Sequence, residues 1–329
     1  MTVTIGRREL LAALGGTAAT WPLAARAQHP ATPVIGFLHT ESADRSRDRL
    51  RGFHQGLGET GYVEGRNVTI EYRWAEDHND RFPALAADLV RRQVAVIVAN
   101  AAAAPAAKAA TSKIPIVFVS GIDPVVLGLV SSLNRPGGNL TGVSQMNVQL
   151  GPKRVQLLHE AMPAATGIAL LVNPTFVSAQ TLLREAEAAA HNLGLSLHVF
   201  YASTDRELDA AFANPTELRA GGLVIGPDSF FTSRIEHLAA LTLRHAVPAL
   251  YEFSQFATAG GLMSYGPSLS ESYRLLGIYV GRVLKGAKPA DLPVEQSAKF
   301  ELVINAQTAR ILGLEIPPTL LARADKVIE

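Results

Sequence analysis

The chain has 329 residues, of which 48% are apolar and 18% are charged, and its formal net charge is +1. This length suits two lobes of roughly 130–150 residues each, and the near-neutral charge argues against nucleic-acid binding, which requires a concentrated basic surface. The chain contains no cysteine, which excludes disulfides, thiolate nucleophiles, cysteine-ligated metals and a lipid-modified cysteine.

The pattern of residues 1–27 predicts an export signal. Arg7 and Arg8 precede a mildly apolar stretch at residues 10–22, and Ala25-Arg26-Ala27 has the small-x-small pattern of a cleavage site. The paired arginines resemble the twin-arginine signal, which routes proteins that fold before export. The alternative is an alanine-rich amphipathic helix with two chance arginines. We expect a periplasmic protein whose leader is cleaved after Ala27.

The remaining chain alternates predicted strands and helices. Short apolar runs predict buried parallel strands, because both faces of such a sheet are covered. Apolar residues spaced three and four apart, such as Leu50, Phe53 and Leu57, predict helices. The predicted strands are residues 32–38, 68–72, 94–99, 114–119, 141–143, 168–172, 197–200, 222–225, 247–251, 261–263 and 300–304. The predicted helices are residues 45–61, 79–93, 151–162, 177–193, 203–213, 233–246, 270–285 and 307–312.

The order of these elements occurs twice. Apolar runs that begin at Val34, Val94 and Ile114 have counterparts that begin 134, 128 and 133 residues later. A nearly constant offset predicts an α/β fold of two similar Rossmann-like lobes with mainly parallel sheets. Such lobes face each other across a cleft, where small ligands commonly bind.

Three chain segments are predicted to join the lobes. Glycines, prolines and polar residues cluster near residues 144–150, 260–268 and 288–298, and three crossings predict a hinge about which rigid lobes close on a ligand. The predicted lobes are residues 32–147 with 268–292, and residues 148–262 with 298–329.

In an open α/β sheet the ligand binds beyond the carboxyl ends of the strands. Polar and aromatic residues that closely follow the apolar runs are therefore the candidate ligand contacts. Asn100 is the strongest, because it ends a wholly apolar strand and is followed by four alanines, whereas His39 also fits a solvated loop. The candidates are His39, Thr40, Asn100, Ser120 and Asp123 in the first lobe, Asn173, Asp228, Tyr251 and Phe253 in the second, and Tyr265 on a crossing segment.

Several candidates have structural alternatives. Asp123 and Asn173 each precede a proline, and Asp228 lies just before a predicted helix, so all three also fit turn or helix-capping positions. Tyr251 and Tyr265 also fit a core between the lobes.

Signatures of catalysis are missing from the sequence. The segment from Gly56 to Gly61 matches GxGxxG by its letters, but it lies at the end of a predicted helix, where its amides could not hold a phosphate. No phosphate-binding loop, nucleophile elbow or zinc-protease motif occurs, and the nine histidines are scattered singly. We predict no enzymatic activity, no cofactor and no metal site.

A set of motifs resembles one protein family. The motifs are Phe53-x-x-Gly56-Leu57, Gly61-Tyr-Val-Glu-Gly-Arg-Asn67, Glu71-Tyr-Arg-Trp-Ala75, Pro115-Ile-Val-Phe118, Arg135-Pro-Gly-Gly-Asn139-x-Thr-Gly142, Gly260-Gly-Leu-Met-Ser-Tyr-Gly266 and Ala322-Arg-Ala-Asp325. Together they are similar to the uncharacterised periplasmic substrate-binding components of ABC-type transporters, over almost the whole chain. The resemblance implies a type I periplasmic-binding-protein fold, no catalysis and delivery of a ligand to a membrane permease. Characterised relatives resemble carriers of aromatic amino acids.

We therefore expect a monomeric solute-binding protein outside the cytoplasm, with a small-molecule ligand and an ABC permease as partners and no nucleic acid. Aromatic side chains near the cleft, Asp123 or Asp228 as a partner for an ammonium group, and helix N-termini as partners for a carboxylate favour an amino acid, especially an aromatic one. The alternative is an exported ligand-sensing module that presents its bound state to a membrane receptor. A neighbouring permease and ATPase gene would favour transport.

Overall fold

The computed structural model describes residues 32–213 and 221–329, and the predicted export signal lies outside them. The strands are β1 Val34–His39, β2 Thr69–Trp74, β3 Val96–Asn100, β4 Ile116–Ser120, β5 Leu140–Ser144, β6 Gly167–Val172, β7 Ser196–Tyr201, β8 Leu223–Ile225, β9 Ala249–Tyr251, β10 Met263–Pro267, β11 Glu295–Gln296, β12 Phe300–Asn305 and β13 Lys326–Ile328. The helices are α1 Arg47–Glu59, α2 Phe82–Arg91, α3 Ala104–Ala110, α4 Gly151–Ala161, α5 Ala179–Asn192, α6 Asp205–Phe212, α7 Ser229–Thr232, α8 Ile235–Arg244, α9 Ser254–Thr258, α10 Leu269–Leu284, α11 Ala306–Ile311 and α12 Pro318–Leu321. Within these described residues, no helix has the length and apolarity needed to cross a membrane.

The strands form two sheets, and each sheet defines a lobe. The first lobe has a parallel six-stranded sheet in the order β11-β5-β4-β3-β1-β2. The second lobe has a seven-stranded sheet in the order β13-β12-β10-β9-β8-β6-β7, in which only the β10–β12 pair is antiparallel. The predicted fold class, two α/β lobes with mainly parallel sheets, is confirmed.

Alternation along the buried strands gives each sheet a core on both faces. In β1, Ile35 and Phe37 pack with α1 and α10, whereas Leu38 packs with α2 and α3 on the opposite face. Side chains point alternately to the two faces of a strand, so one apolar run supplies both cores. The second sheet is covered on both faces in the same way.

The chain passes between the sheets three times: after β5, between β10 and α10, and between β11 and β12. Helix α10 packs on the first sheet, because Tyr273, Leu276 and Val280 belong to its core. The predicted lobe boundaries stay a proposal. Strand pairing suggests that each lobe extends beyond its predicted bounds. Residues 263–267 pair in the second sheet, and residues 295–296 pair in the first.

Some elements differ from the sequence prediction. The strand expected at residues 261–263 is β10, which begins at Met263 and continues to Pro267. Helices α3, α7, α9 and α12 and strands β11 and β13 were not predicted, since each is short and carries no extended apolar period. Helix α1 ends as expected, just before Gly61, whose φ of +92° suits a glycine.

Candidate ligand-binding site

A cavity of about 340 Å³ lies between the lobes, at the carboxyl ends of the parallel strands. Its volume is at the small end of the range of about 300–1,000 Å³ for ligand pockets. The residues that line it come from both lobes and from the segment after β5. They include His39, Thr40, Glu41, Arg49, Asn100 and Tyr273 from the first lobe, Phe176, Asp228, Thr232, Ser233, Glu252 and Phe253 from the second, and Gln145 and Asn147 from the crossing segment.

Half of the predicted site residues line this cavity. Register explains why the first-lobe members meet: β1 pairs with β3 and β3 pairs with β4, so their carboxyl ends lie side by side. The five lining residues are His39, Thr40, Asn100, Asp228 and Phe253. The five that the structure does not place at the cavity wall are Ser120, Asp123, Asn173, Tyr251 and Tyr265.

Ser120 and Asp123 are engaged in the turn that follows β4. The hydroxyl of Ser120 donates to the carbonyl oxygen of Ile122 at 2.7 Å. Asp123 Oδ1 accepts the backbone N–H of Val125 at 2.8 Å. For Asp123, the turn position foreseen as an alternative is the one that the structure shows.

Asn173 and Tyr251 lie behind residues of the cavity wall. Asn173 Nδ2 donates to Asp228 Oδ1 at 2.9 Å. The Tyr251 hydroxyl lies 2.9 Å from Thr232 Oγ1 and 3.2 Å from Glu252 Oε1. Both residues therefore position cavity groups without reaching the cavity themselves.

Tyr265 is part of strand β10 rather than of a crossing segment. Its carbonyl oxygen accepts from Arg154 Nε at 2.8 Å. Its ring packs beside Phe300 against the core of the second lobe. The ring therefore packs within the second lobe and does not line the cavity.

Reasoning from strand ends missed several lining residues. Glu41 lies two residues beyond β1 and forms a buried ion pair with Arg49, at 2.5 Å between Oε2 and Nη1. Glu252 directly follows Tyr251, and the alternation after β9 places Tyr251 in the core and Glu252 at the cavity. Tyr273 comes from α10, which the chain brings back to the first lobe, so a rule based on strand ends could not find it.

Two hydrogen bonds hold His39 in place on the first-lobe wall. His39 Nδ1 accepts the backbone N–H of Glu41 at 3.1 Å, and His39 Nε2 lies 2.8 Å from the Tyr273 hydroxyl. Burial, with the nearby charges of Arg49 and Arg45, holds the pKa of His39 well below its usual value, so the ring is neutral.

The second-lobe wall carries two carboxyl groups. Asp228 caps α7, because its Oδ1 accepts the backbone N–H of Phe230 at 2.8 Å, and burial raises its pKa. Glu252 is 3% exposed. Burial raises the pKa of Glu252 to about 7, which the nearby Arg154 guanidinium opposes. This wall therefore attracts a cation or a hydrogen-bond donor.

Several buried polar atoms on lining residues have no hydrogen-bond partner among the described residues. They are Asn100 Oδ1, Gln145 Nε2, Asn147 Oδ1 and Glu252 Oε2. An unpaired buried polar group costs about 1–3 kcal/mol. A cavity with four such atoms is suited to a polar ligand. No group of three or more His, Asp or Glu side chains in residues 32–213 and 221–329 is arranged to hold a metal ion.

A family model described as ABC transporter substrate binding protein matches residues 33–328. The chain belongs to this family. Members of the ABC transporter substrate-binding family are solute-binding proteins that act outside the cytoplasm, which agrees with the resemblance found from the motifs.

Individual relatives of this substrate-binding protein are similar over most of their length. A tyrosine-binding protein of Clostridioides difficile is 26% identical over 271 residues, which cover 80% of this chain and 76% of that protein. The ABC domain of Streptococcus pneumoniae, solved in complex with L-tryptophan, is 26% identical with a TM-score of 0.82, and the match covers 90% of this chain and 100% of that one. A conserved domain protein of Vibrio cholerae is also 26% identical with a TM-score of 0.82, over 90% of this chain and 99% of that one.

Proposed function

We propose that this protein binds an amino acid, with an aromatic one favoured, in the cavity between its lobes and delivers it unchanged to an ABC permease. The observation that carries the proposal is the polarity of the cavity. Neutral donors such as Thr40 and Tyr273 face it from the first lobe, and the carboxyl groups of Asp228 and Glu252 face it from the second. A zwitterion presents a carboxylate and an ammonium group at adjacent positions, which such a pair of walls complements.

Apolar side chains in the same cavity support a flat aromatic ligand. Phe253 and Phe176 come from the second lobe, and Ile122 and Leu127 come from the first. Aromatic rings bury a large apolar area and prefer edge or offset contacts with other rings. The names of the similar proteins from C. difficile and S. pneumoniae point to the same ligand class.

A thermal-shift screen of residues 28–329 tests this ligand class. The panel contains the twenty amino acids, common sugars and purines, and calorimetry follows each positive result. A ligand that binds only the native state raises its stability by about 2.7 kcal/mol at a hundredfold excess over Kd, so an aromatic amino acid should raise the melting temperature. Binding of only a sugar or a purine would contradict the proposal.

Asp228→Asn tests the ammonium contact directly. A hydrogen bond to a charged group is worth about 1.5–3 kcal/mol, so this variant should bind the amino acid at least tenfold more weakly. Asp123→Asn is the matched control, because Asp123 closes a turn outside the cavity and asparagine keeps the accepting oxygen. Equal affinities of the two variants for the amino acid would show that Asp228 does not contact its ammonium group.

We also propose export by the twin-arginine route, cleavage after Ala27 and a monomeric periplasmic protein without a nucleic-acid partner. The paired Arg7 and Arg8 support the route, and membership of the family supports the compartment. Replacement of both arginines by lysine should retain the protein in the cytoplasm, as measured by cell fractionation. Delivery to a permease predicts that deletion of the gene abolishes uptake of the labelled ligand, whereas a sensing module would leave uptake unchanged.

A further inference from the structure

The side chain of Tyr273 connects the core of the first lobe to the cavity. It lies in α10, is 3% exposed and packs in the core on one face of the first sheet. It also lines the cavity, and its hydroxyl lies 2.8 Å from Nε2 of His39, a second lining residue. Its hydroxyl end therefore lies among groups of the cavity wall.

The hydrogen bonds around His39 determine the direction of this contact. The backbone N–H of Glu41 points at His39 Nδ1 at 3.1 Å, so Nδ1 is the acceptor nitrogen of a neutral ring. The ring hydrogen is then on Nε2, and it is donated to the Tyr273 oxygen. The tyrosine hydroxyl accepts from His39 and keeps its own hydrogen for another partner.

That hydrogen has no acceptor among the described residues, in which the His39 contact is the one hydrogen bond of this hydroxyl. Thr40 is in a similar position: its Oγ1 accepts from Asn100 Nδ2 at 2.8 Å, which leaves its hydrogen available. Arg49, the cation among the lining residues, is paired with Glu41. The first-lobe wall therefore presents two hydroxyl groups, each fixed as a donor by the residue behind it.

We propose that Tyr273 donates a hydrogen bond to the carboxylate of the bound amino acid and that His39 is a positioning residue that fixes this direction. The inference rests on the proposed function, since it assumes that an amino acid occupies the cavity. It assigns the carboxylate to the first lobe and leaves the ammonium group to Asp228 and Glu252. A hydroxyl that is held as a donor selects ligands with an acceptor at this point.

Tyr273→Phe, compared with the native protein on two pairs of ligands, tests the assignment. The probes are L-tyrosine with tyramine, and L-tryptophan with tryptamine; each amine has the same ring and ammonium group as its amino acid but no carboxylate. Calorimetry, with displacement titration for weak ligands, gives the four affinities. We expect the variant to bind the amino acid tenfold or more weakly, and to bind the amine within threefold of the native protein.

Tyr72→Phe is the matched control. The Tyr72 hydroxyl also contacts a histidine, His54 Nε2 at 3.2 Å, but Tyr72 does not line the cavity, so all four affinities should stay unchanged. If Tyr273→Phe fails to fold, Thr40→Val carries the same comparison at the second hydroxyl, with the same expected split.

The outcomes separate this inference from the proposed function. If the native protein binds no amino acid, the proposed function fails and the inference fails with it. If it binds an amino acid but the variant loses equal affinity for the acid and the amine, the carboxylate contact alone is wrong. A loss of affinity for the amino acid but not for the amine supports both the proposed function and the carboxylate contact.

Discussion

Glu252 lies at the end of a chain of three oxygen–oxygen contacts that involves only two hydroxyl groups. Thr232 Oγ1 lies 2.9 Å from the carbonyl oxygen of Asp228 and 2.9 Å from the Tyr251 hydroxyl, which lies 3.2 Å from Glu252 Oε1. Two hydroxyl hydrogens cannot serve three contacts. When Glu252 is ionised, Tyr251 donates to its Oε1 and Thr232 donates to the Asp228 carbonyl, so no hydrogen is left for the contact between the two hydroxyls. A proton on Glu252, whose pKa burial raises to about 7, would reverse the Tyr251–Glu252 hydrogen bond and free the Tyr251 hydrogen for Thr232.

Glu252→Gln should therefore change stability in a pH-dependent way. The folded pKa of about 7 exceeds the ordinary value of 4.5, so between these values the folded state keeps a proton that the unfolded state has released. Native stability from this group is present at low pH and is lost as pH rises to about 7, by on the order of 3 kcal/mol. The amide donates the missing hydrogen at every pH and does not ionise.

Thermal melts of both proteins from pH 5 to pH 8 measure this effect. The melting temperature of the variant should exceed that of the native protein at pH 8, and the difference should shrink as pH falls towards 5. Subtraction of the two curves removes the contributions of His39, Glu41 and Asp228, which are common to both proteins. A difference that is the same at every pH would show that Glu252 does not hold a proton in the folded state.

At the scale of single residues, the sequence predicts which strand ends face the cavity better than it predicts which side chains reach it. Asn100 ends its strand, Asp228 follows its strand, and both line the cavity, whereas Tyr251 ends its strand facing the core. The orientation of the last strand residue depends on register with its neighbours, which one sequence does not contain. A rule based on strand ends could not identify Tyr273, because this residue reaches the cavity from a helix.

At the scale of elements, helices α1 and α10 approach closely through glycine. A Cβ on Gly56 would lie 1.8 Å from the carbonyl oxygen of Arg274, and one on Gly277 would lie 2.2 Å from that of Phe53. The backbones thus touch where side chains would separate them. Of the three glycines that imitate a GxGxxG phosphate motif, Gly56 is explained by this packing and Gly61 by its positive φ, whereas nothing in the structure requires glycine at position 58.

Gly56→Ala and Gly58→Ala, two residues apart in α1, should have opposite effects. Alanine at Gly56 forces the helices apart and should cost about 1–3 kcal/mol or more, as overpacking does. Alanine at Gly58 meets no atom within 4 Å and should stabilise the exposed helix surface by up to about 1 kcal/mol. Denaturant midpoints of the two variants measure the difference. A midpoint for Gly56→Ala at or above the native value would contradict close packing of α1 on α10.

The sequence predicts the longer elements well because their signals are local. Most strands in apolar runs begin or end within two residues of their predicted bounds, as for β1 and β6. The predicted position of strand β10 is two residues too early, because Met263–Pro267 contains no apolar run. The strand is recognisable only from its pairing with β9 and β12. The sequence pattern does not indicate helix α3, because its five alanines, Pro105 and Lys108 give no amphipathic period.

At the scale of the whole molecule, the repeat in the sequence predicts two lobes, but it gives no information about the contacts that hold them together. Arg45, in the segment between β1 and α1, reaches across to the second lobe and donates from Nη1 to the carbonyl oxygen of Ser233 at 3.1 Å. Its other terminal nitrogen pairs with Asp77 in the first lobe. Among the described residues, this is the one side-chain hydrogen bond that joins the lobes away from the crossing segments.

This contact lies at the rim of the cavity, because Ser233 is a lining residue and follows α7, the helix that Asp228 caps. Asp77 restrains the guanidinium on the first-lobe side, so the hydrogen bond to Ser233 forms only when the lobes are close. If release of an enclosed ligand requires the lobes to separate, this hydrogen bond must break first. Arg45 should therefore slow ligand release more than it affects ligand entry.

Arg45→Gln should raise the dissociation rate constant of the bound ligand by about 2–10-fold, the equivalent of a hydrogen bond of about 0.5–1.5 kcal/mol. The association rate constant should change less. Arg47→Gln is the matched control, because Arg47 pairs with Asp44 within the same segment, at 2.6 Å, and is exposed. Stopped-flow measurements give the rate of ligand release, and small-angle scattering of the ligand-bound proteins shows whether the lobes are closed. Equal release rates for both variants would mean that closure depends on the ligand and the crossing segments alone, since the rim hydrogen bond would then add nothing to the closed state.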